Sequence, residues 1–460
     1  PNDNSITITD AIRKTSGGDV ALRLKATGAI NINADITSET PAPVATPTGK
    51  LSLEVTSDTN KTAGGSVSVA SGTSIKTLGG NVKIGGGLVD NGVGFANSQS
   101  AGEAGITLNG VTIDTRVDPA GAPGTAGGNV EMAGSTTADA AGVLLAGSTI
   151  QTGTGKVTLI GKSTGSNAAV AKGLKIDGGS SITTRTVELR TDTIDLAGQI
   201  TGDNDPAGYA KVWTLSDGRA INFGTGTGGL DLAGNTFSGS GKITNFYKNI
   251  VGDASQKANI TVGGVTSDSD LELNTGAGTM AVSGTVDVAA GHALTLASKG
   301  QVAGTGKITT DALRLDAADA EVSLTGANAV KNVDGKAKKL TLKNSGNLAV
   351  GAETGLVTGA GGADIDVAGD LTVGGTTPLA GGAAALKNGA GALKLKASGT
   401  LAVEGGAQIV STGAAQTAFE ANSVSLGTGA KVKTAGGTIN VKTDALSLPA
   451  GETGVLSSAN

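Results

Sequence analysis

The 460-residue sequence predicts an all-β fold, a parallel β-helix with three short strands in each coil and with loop insertions. Three observations lead to it: a short strand phrase recurs along the chain, glycine supplies 77 residues, and the aromatic residues are only 5 Phe, 2 Tyr and 1 Trp. Hydrophobic residues make up 38% and are mostly aliphatic, which predicts a thin and repetitive interior. Such a composition disfavours an ordinary enzyme domain.

The recurring phrase contains alternating aliphatic residues, a step with glycine, another aliphatic residue and often a threonine. The clearest copies lie at 67–77, 106–115 and 143–152, and a third short strand opened by glycine follows each of them, at 80–84, 128–132 and 155–159. The alternation predicts that Ile150 and Leu159 point inward and Lys156 outward. Three strands cannot bury their apolar faces alone, but stacked coils would enclose them. Similar strands continue to the end of the sequence, at 271–273, 294–296, 313–315, 340–342, 365–367, 371–373, 393–395, 401–403, 424–426 and 439–441.

Glycine is predicted to form the corners between strands, because it adopts positive φ angles without steric cost. With about 20–25 residues per coil and a rise of about 4.8 Å, the sequence predicts a rod on the order of 90–110 Å long. Longer gaps between copies are predicted to be surface loops, at 85–105, 117–127 and 161–173. The predicted domains are coils with inserts at 1–200, an aromatic-rich insertion or widened coil at 201–250, and further coils at 251–460.

Residues 201–250 contain six of the eight aromatic residues. One interpretation is that their rings fill a wider coil or a small packed subdomain, since buried aromatic rings more often fill a core than bind a ligand. The other is contact with a carbohydrate or a receptor. The candidate ligand-binding residues are Tyr209, Trp213, Phe223, Phe246 and Tyr247.

Charge and composition disfavour several other functions. The chain has 34 Lys and Arg against 39 Asp and Glu and a pI near 5.1. It therefore has no overall positive charge that would favour binding to nucleic acid. Cysteine is absent and His292 is the only histidine, so neither a transition-metal site nor a cofactor is predicted. The closely spaced pairs Asp203 with Asp205, Asp268 with Asp270 and Asp364 with Asp366 could suit calcium, but solvated strand faces explain them more simply.

Residues 242–246, 250–253 and 258–262, with the sequences KITNF, IVGD and ANITV, resemble the repeats of filamentous-haemagglutinin-type exoproteins. Phrases at 173–179 and 187–198 are similar in style to the same family. The resemblance implies a right-handed β-helix in a two-partner-secretion adhesin, exported through an outer-membrane transporter barrel. It also implies a location in the medium or on the outer-membrane surface of a Gram-negative bacterium, and a glycan or protein receptor on a host or bacterial surface.

The sequence therefore predicts a non-catalytic adhesin shaft that attaches a bacterium to host cells, surfaces or other bacteria. One alternative is a structural surface-layer or matrix component that self-associates into fibres, since strand edges at the ends of a β-helix favour pairing. A lesser alternative is a β-helix polysaccharide lyase or hydrolase. Asp192, Asp195, Asp203 and Asp205 are the acidic groups near the aromatic residues, without a matching basic set beside them in the sequence.

Overall fold

A computed structural model describes residues 4–39, 49–61, 64–90, 92–118, 120, 124–224, 228–448 and 455–458. Within these ranges the fold is all-β, with no α-helix and one 3-10 turn at Ala380–Gly382. The strands pair in parallel, apart from one antiparallel hairpin and two isolated bridges. The predicted all-β, parallel architecture is thus confirmed, and it is consistent with a β-solenoid.

The strands of the first half are short and are joined by turns or inserts. They are β1 (Ile6–Ile8), β2 (Ile12–Lys14), β3 (Val20–Lys25), β4 (Ile30–Ile32), β5 (Ile36–Ser38), β6 (Leu51–Ser57), β7 (Val67–Val69), β8 (Ser74–Lys76), β9 (Val82–Gly86), β10 (Leu88–Asp90), β11 (Val93–Ser98), β12 (Ile106–Asn109), β13 (Thr112–Asp114), β14 (Val130–Thr136), β15 (Val143–Ala146), β16 (Thr149–Ser163), β17 (Leu174–Ile176), β18 (Ser181–Thr191), β19 (Ile194–Leu196), β20 (Gln199–Thr201) and β21 (Tyr209–Trp213).

The second half continues in the same manner, with several longer strands that bend. They are β22 (Ile221–Phe223), β23 (Leu230–Leu232), β24 (Ile243–Thr244), β25 (Lys248–Gly252), β26 (Ile260–Ser267), β27 (Asp270–Asn274), β28 (Met280–Val288), β29 (Ala293–Ala297), β30 (Val302–Gly304), β31 (Ile308–Asn344), β32 (Leu348–Val350), β33 (Leu356–Val367), β34 (Leu371–Val373), β35 (Leu386–Asn388), β36 (Leu393–Ala397), β37 (Thr400–Val403), β38 (Gln408–Ser411), β39 (Thr417–Leu426), β40 (Lys431–Thr434), β41 (Ile439–Ser447) and β42 (Val455–Ser458). All ten strand phrases predicted beyond residue 270 lie in these strands.

The chain forms two compact units, the first from Pro1–Arg219 and Thr227–Ile250 and the second from Ala220–Gly226 and Val251–Asn460. In the first unit the strands form three parallel ladders. Ladder A is β1-β4-β7-β12-β15-β17-β19, ladder B is β2-β5-β8-β13-β16-β18-β20-β24, and ladder C is β3-β6-β9-β14-β16-β18-β21. The predicted copies align in register, since Val67 pairs with Ile106 and Ile106 with Val143.

The second unit shows the same kind of stacking. From β31 onward its strands again follow three parallel ladders, which run β31-β32-β34-β37-β39-β41, β31-β33-β35-β38-β40-β42 and β31-β33-β36-β39-β41. The bent strands β31, β33, β39 and β41 each contribute segments to more than one ladder.

The interior of each unit is a set of aliphatic columns. In ladder C one column is entirely buried and consists of Leu24, Val55, Ile84, Met132, Leu159, Leu189 and Val212. Ile150 is also buried, whereas Lys156 faces outward, so the predicted side-chain register is confirmed.

Glycine has two different roles in the repeat. Gly72, Gly110 and Gly147 have positive φ angles, as the prediction for corners required. Gly128 and Gly155, which open the third strand, are needed for a different reason: a Cβ on Gly128 would lie 2.0 Å from the Gly80 oxygen, and one on Gly155 2.1 Å from the Gly128 oxygen. The glycine excess therefore also reflects close stacking of successive backbones.

Two predicted surface loops are wrong in part. Residues 161–163 of the loop predicted at 161–173 belong to β16, and residues 119 and 121–123 of the loop predicted at 117–127 lie outside the described residues. Within 85–105 the chain forms the antiparallel hairpin β10–β11, and Ala96 of β11 pairs in parallel with Gly134 of ladder C. Phe95 is buried against Ala133, Ile160 and Leu215. The segment around Phe95 is therefore part of the core, because its ring needs apolar neighbours, whereas Val89 of the same hairpin is exposed.

Candidate binding surfaces

The aromatic residues of 201–250 divide between the interior and the surface. Phe223, Phe237 and Phe246 are buried, with exposures of 0 to 1%. Rings this deeply buried offer no face to a ligand, so the structure corrects the predicted binding role of Phe223 and Phe246 and gives them the core-filling role instead. Tyr209 and Trp213 are half-buried and Tyr247 is 43% exposed, so the prediction of ligand contact stays with these three residues.

Tyr209, Lys211 and Trp213 form an outward-facing row on β21, which we call the aromatic strip. They alternate with Ala210 and Val212, which are fully buried, and this alternation fixes their direction. The Lys211 Nζ lies 4.6 Å from the centroid of the Trp213 ring, within the range of a cation–π interaction. Because β21 is paired in register with β18 of ladder C, the sheet holds the spacing of the three side chains.

Glu188 of the neighbouring strand β18 connects the strip to the rest of the sheet. The Tyr209 hydroxyl donates to Glu188 Oε1 at 2.6 Å, and Lys156 Nζ donates to Glu188 Oε2 at 3.0 Å. Arg190 occupies the position on β18 that pairs in register with Trp213. Lys156 faces outward as predicted, but Lys156→Asp would break its ion pair with Glu188 and place a second carboxylate against that side chain.

Burial, followed by the hydrogen bond to Glu188 and its negative charge, raises the pKa of Tyr209 from 10.0 to about 12. An unfolded tyrosine ionises near pH 10, whereas Tyr209 in the fold stays protonated until about pH 12. Between these two pH values the folded state holds a proton that the unfolded state has lost. The contribution of Tyr209 to the free energy of unfolding is therefore fully present below pH 10 and is lost as the pH rises from 10 to about 12.

We expect a direct titration to show this shift. Because the chain has only two tyrosines, the Tyr247→Phe variant leaves Tyr209 as the sole tyrosine, and its ultraviolet tyrosinate absorbance should titrate with a midpoint near 12. Adding Glu188→Gln removes the neighbouring charge and should move the midpoint down toward 10.0. A midpoint that is the same with and without the Glu188 carboxylate would contradict the contact.

The outer face of ladder C carries charges of alternating sign. Its paired residues run Arg23, Glu54, Lys83, Glu131, Thr158, Glu188 and Lys211. Ion pairs join Arg23 to Glu54 at 3.0 Å and Lys83 to Glu131 at 2.9 Å. In a parallel ladder, like charges at the same position of successive coils would repel, so the alternation supports the in-register stacking.

Most of the carboxylates considered for calcium or catalysis are engaged by neighbouring groups, whereas Asp364 is exposed on β33. Arg185 lies 3.0 Å from Asp203 and 3.1 Å from Asp205, and Lys396 lies 3.3 Å from Asp366. Asp192 accepts the Ser216 hydroxyl, and Asp195 lies 3.8 Å from Lys175. Within the part of the chain that the structure describes, no group of three or more His, Cys, Asp or Glu residues could hold a metal ion.

Among the described residues, no helix has the length and apolar character to span a membrane. Comparison of the chain with family models, with curated proteins and with solved structures finds no match.

Proposed function

We propose that each unit is a right-handed parallel β-helix with three strands per coil. The three ladders of the first unit support this, since the chain visits A, B and C in turn for each repeat, as in β7, β8 and β9. Crossovers between parallel strands are right-handed in nearly all proteins, which supports the proposed hand.

We further propose that this chain is the non-catalytic shaft of a bacterial adhesin of the filamentous-haemagglutinin type. In this proposal the protein is secreted or displayed on the outer-membrane surface of a Gram-negative bacterium, after export through a dedicated outer-membrane transporter. The observation that carries the binding function is the aromatic strip, which turns Tyr209 and Trp213 outward from a strand held on the ladder. The receptor is a glycan or a protein on a host or bacterial surface.

The strip has the chemistry for such a contact. The exposed part of the Trp213 ring can pack on an apolar sugar face or on a receptor side chain, and Lys211 beside it can donate hydrogen bonds. Because Glu188 already fixes Tyr209, binding would order few additional groups and therefore cost little conformational entropy.

The test is binding of the fluorescently labelled chain to glycan arrays and to epithelial and bacterial cells. We expect Trp213→Ala to weaken binding by about tenfold or more, as truncation of a central aromatic contact does. The matched control is Val89→Ala, which removes another exposed hydrophobic side chain, 59% accessible, from the hairpin β10–β11. If the wild-type chain binds nothing, or if both variants bind equally well, the proposal is wrong.

The alternatives predicted from the sequence give different results with the same protein. A fibre component would show concentration-dependent assembly into ordered fibres in electron micrographs. A polysaccharide lyase or hydrolase would release unsaturated or reducing sugar ends from polysaccharides.

A further inference from the structure

A groove of about 510 Å³ lies over the outer face of ladder A in the first unit. Its floor is a row of outward side chains that pair in register across five successive strands. In order along the ladder these side chains are Asn31, Ser68, Thr107, Leu144 and Lys175. Because adjacent strands are about 4.8 Å apart, the floor offers one side chain at each such step.

One wall of the groove is built from the inserts that follow β11, β14 and β16. These inserts are bonded to one another: Gly105 N–H donates to the Ala141 oxygen at 3.3 Å, and Gly142 N–H to the Lys172 oxygen at 2.8 Å. Asp139 Oδ1 accepts the Asn167 N–H at 2.8 Å. The wall is therefore a second stack alongside the ladder, which preforms the groove.

The groove is polar, and part of its charge is compensated. Lys175 faces Asp195 at 3.8 Å, and Asp139 Oδ1 also accepts the Ser166 hydroxyl at 3.4 Å. The remaining floor consists mostly of hydroxyl and amide groups, with apolar patches from Leu144 and from Val170 in the wall. The volume of the groove, about 510 Å³, is in the range of small-ligand sites.

We propose that this groove binds a segment of a neutral oligosaccharide that lies along the stacking direction, at a site separate from the aromatic strip. Sugar hydroxyls can exchange hydrogen bonds with Asn31, Ser68 and Thr107 and can donate to Glu103 at the rim, while Leu144 and Val170 face the apolar sides of the rings. An extended peptide fits less well. Peptides gain affinity from main-chain hydrogen bonds at a sheet edge, and the floor is the face of a sheet whose strands are already paired.

The test uses neutral hexasaccharides of glucose, N-acetylglucosamine and mannose, measured by titration calorimetry with the full chain. The variant Thr107→Arg places a long side chain in the middle of the floor and should weaken binding by about tenfold or more. Thr372→Arg is the matched control, because Thr372 has the same outward position on β34 in the second unit. Ser68→Arg provides a second block of the groove if Thr107→Arg lowers the melting temperature.

The outcomes separate this site from the aromatic strip. The groove is assigned the hexasaccharide binding that Thr107→Arg and Ser68→Arg remove and that Thr372→Arg retains, whereas binding that Trp213→Ala removes belongs to the aromatic strip. The inference is overturned if none of the hexasaccharides binds, or if both groove variants bind as well as Thr372→Arg. It is also overturned if the sugars do not bind and an oligolysine peptide binds instead, with an affinity that Thr107→Arg lowers and Thr372→Arg does not.

Discussion

Replacement of Leu371 by Asp should destabilise the second unit by about 4 kcal/mol or more, enough to prevent folding of its neighbouring coils. Leu371 has no exposed surface and stacks between Leu348 and Leu401 in an aliphatic column. A carboxylate at this position would be buried without a cation or a hydrogen-bond donor, which is the most costly kind of substitution. The measurement is urea unfolding followed by far-ultraviolet circular dichroism.

The adjacent residue provides the control. Thr372→Asp introduces the same side chain one position further along β34, facing outward between Ala349 and Ala402. Because these neighbours are uncharged, we expect a change within about 0.5 kcal/mol. If Leu371→Asp is too unstable to purify, Leu371→Ala should still show a loss of about 2–5 kcal/mol. Equal effects at Leu371 and Thr372 would refute the inward and outward assignment.

Strand positions and register could be predicted from the sequence because both depend on local periodicity. A period of two residues fixes the buried face, and the repetition of one phrase in each coil shows which residues stack. The copies at Val67, Ile106 and Val143 therefore pair as their alignment predicts. Charge alternation between coils, as in Lys83 and Glu131, was visible in the same alignment and would have supported it.

The inserts and the candidate binding surfaces were harder to predict, because they depend on segments distant in the sequence. The segment of β11 around Phe95 has no clear alternation, and its partner Gly134 lies in the next repeat. The groove over ladder A forms only where three separate inserts stack. The clustering of aromatic residues singled out 201–250 but could not distinguish buried from exposed rings. The alternation of Tyr209, Lys211 and Trp213 with small aliphatic residues was the available signal for the aromatic strip.

Asp334 is a structural anchor that no motif indicated. It lies in β31 with 2% exposure, and its Oδ1 accepts three successive backbone N–H groups, from Glu353 at 3.2 Å, Thr354 at 2.9 Å and Gly355 at 3.0 Å. Its Oδ2 accepts the Asn332 side-chain amide at 2.5 Å. One carboxylate thereby satisfies the donors of the turn that leads into β33.

Asp334→Ala should therefore lower the free energy of unfolding by about 3–5 kcal/mol, because it leaves these donors without their acceptor. Asp334→Asn retains an acceptor oxygen but not the charge, so its loss should be smaller. Hydrogen exchange gives a readout specific to the turn: the amides of residues 353–355 should exchange faster in both variants. Asp364→Ala, which removes an exposed carboxylate from β33, should change the stability by no more than about 0.5 kcal/mol. Unchanged protection of the three amides in Asp334→Ala would show that the carboxylate does not hold this turn.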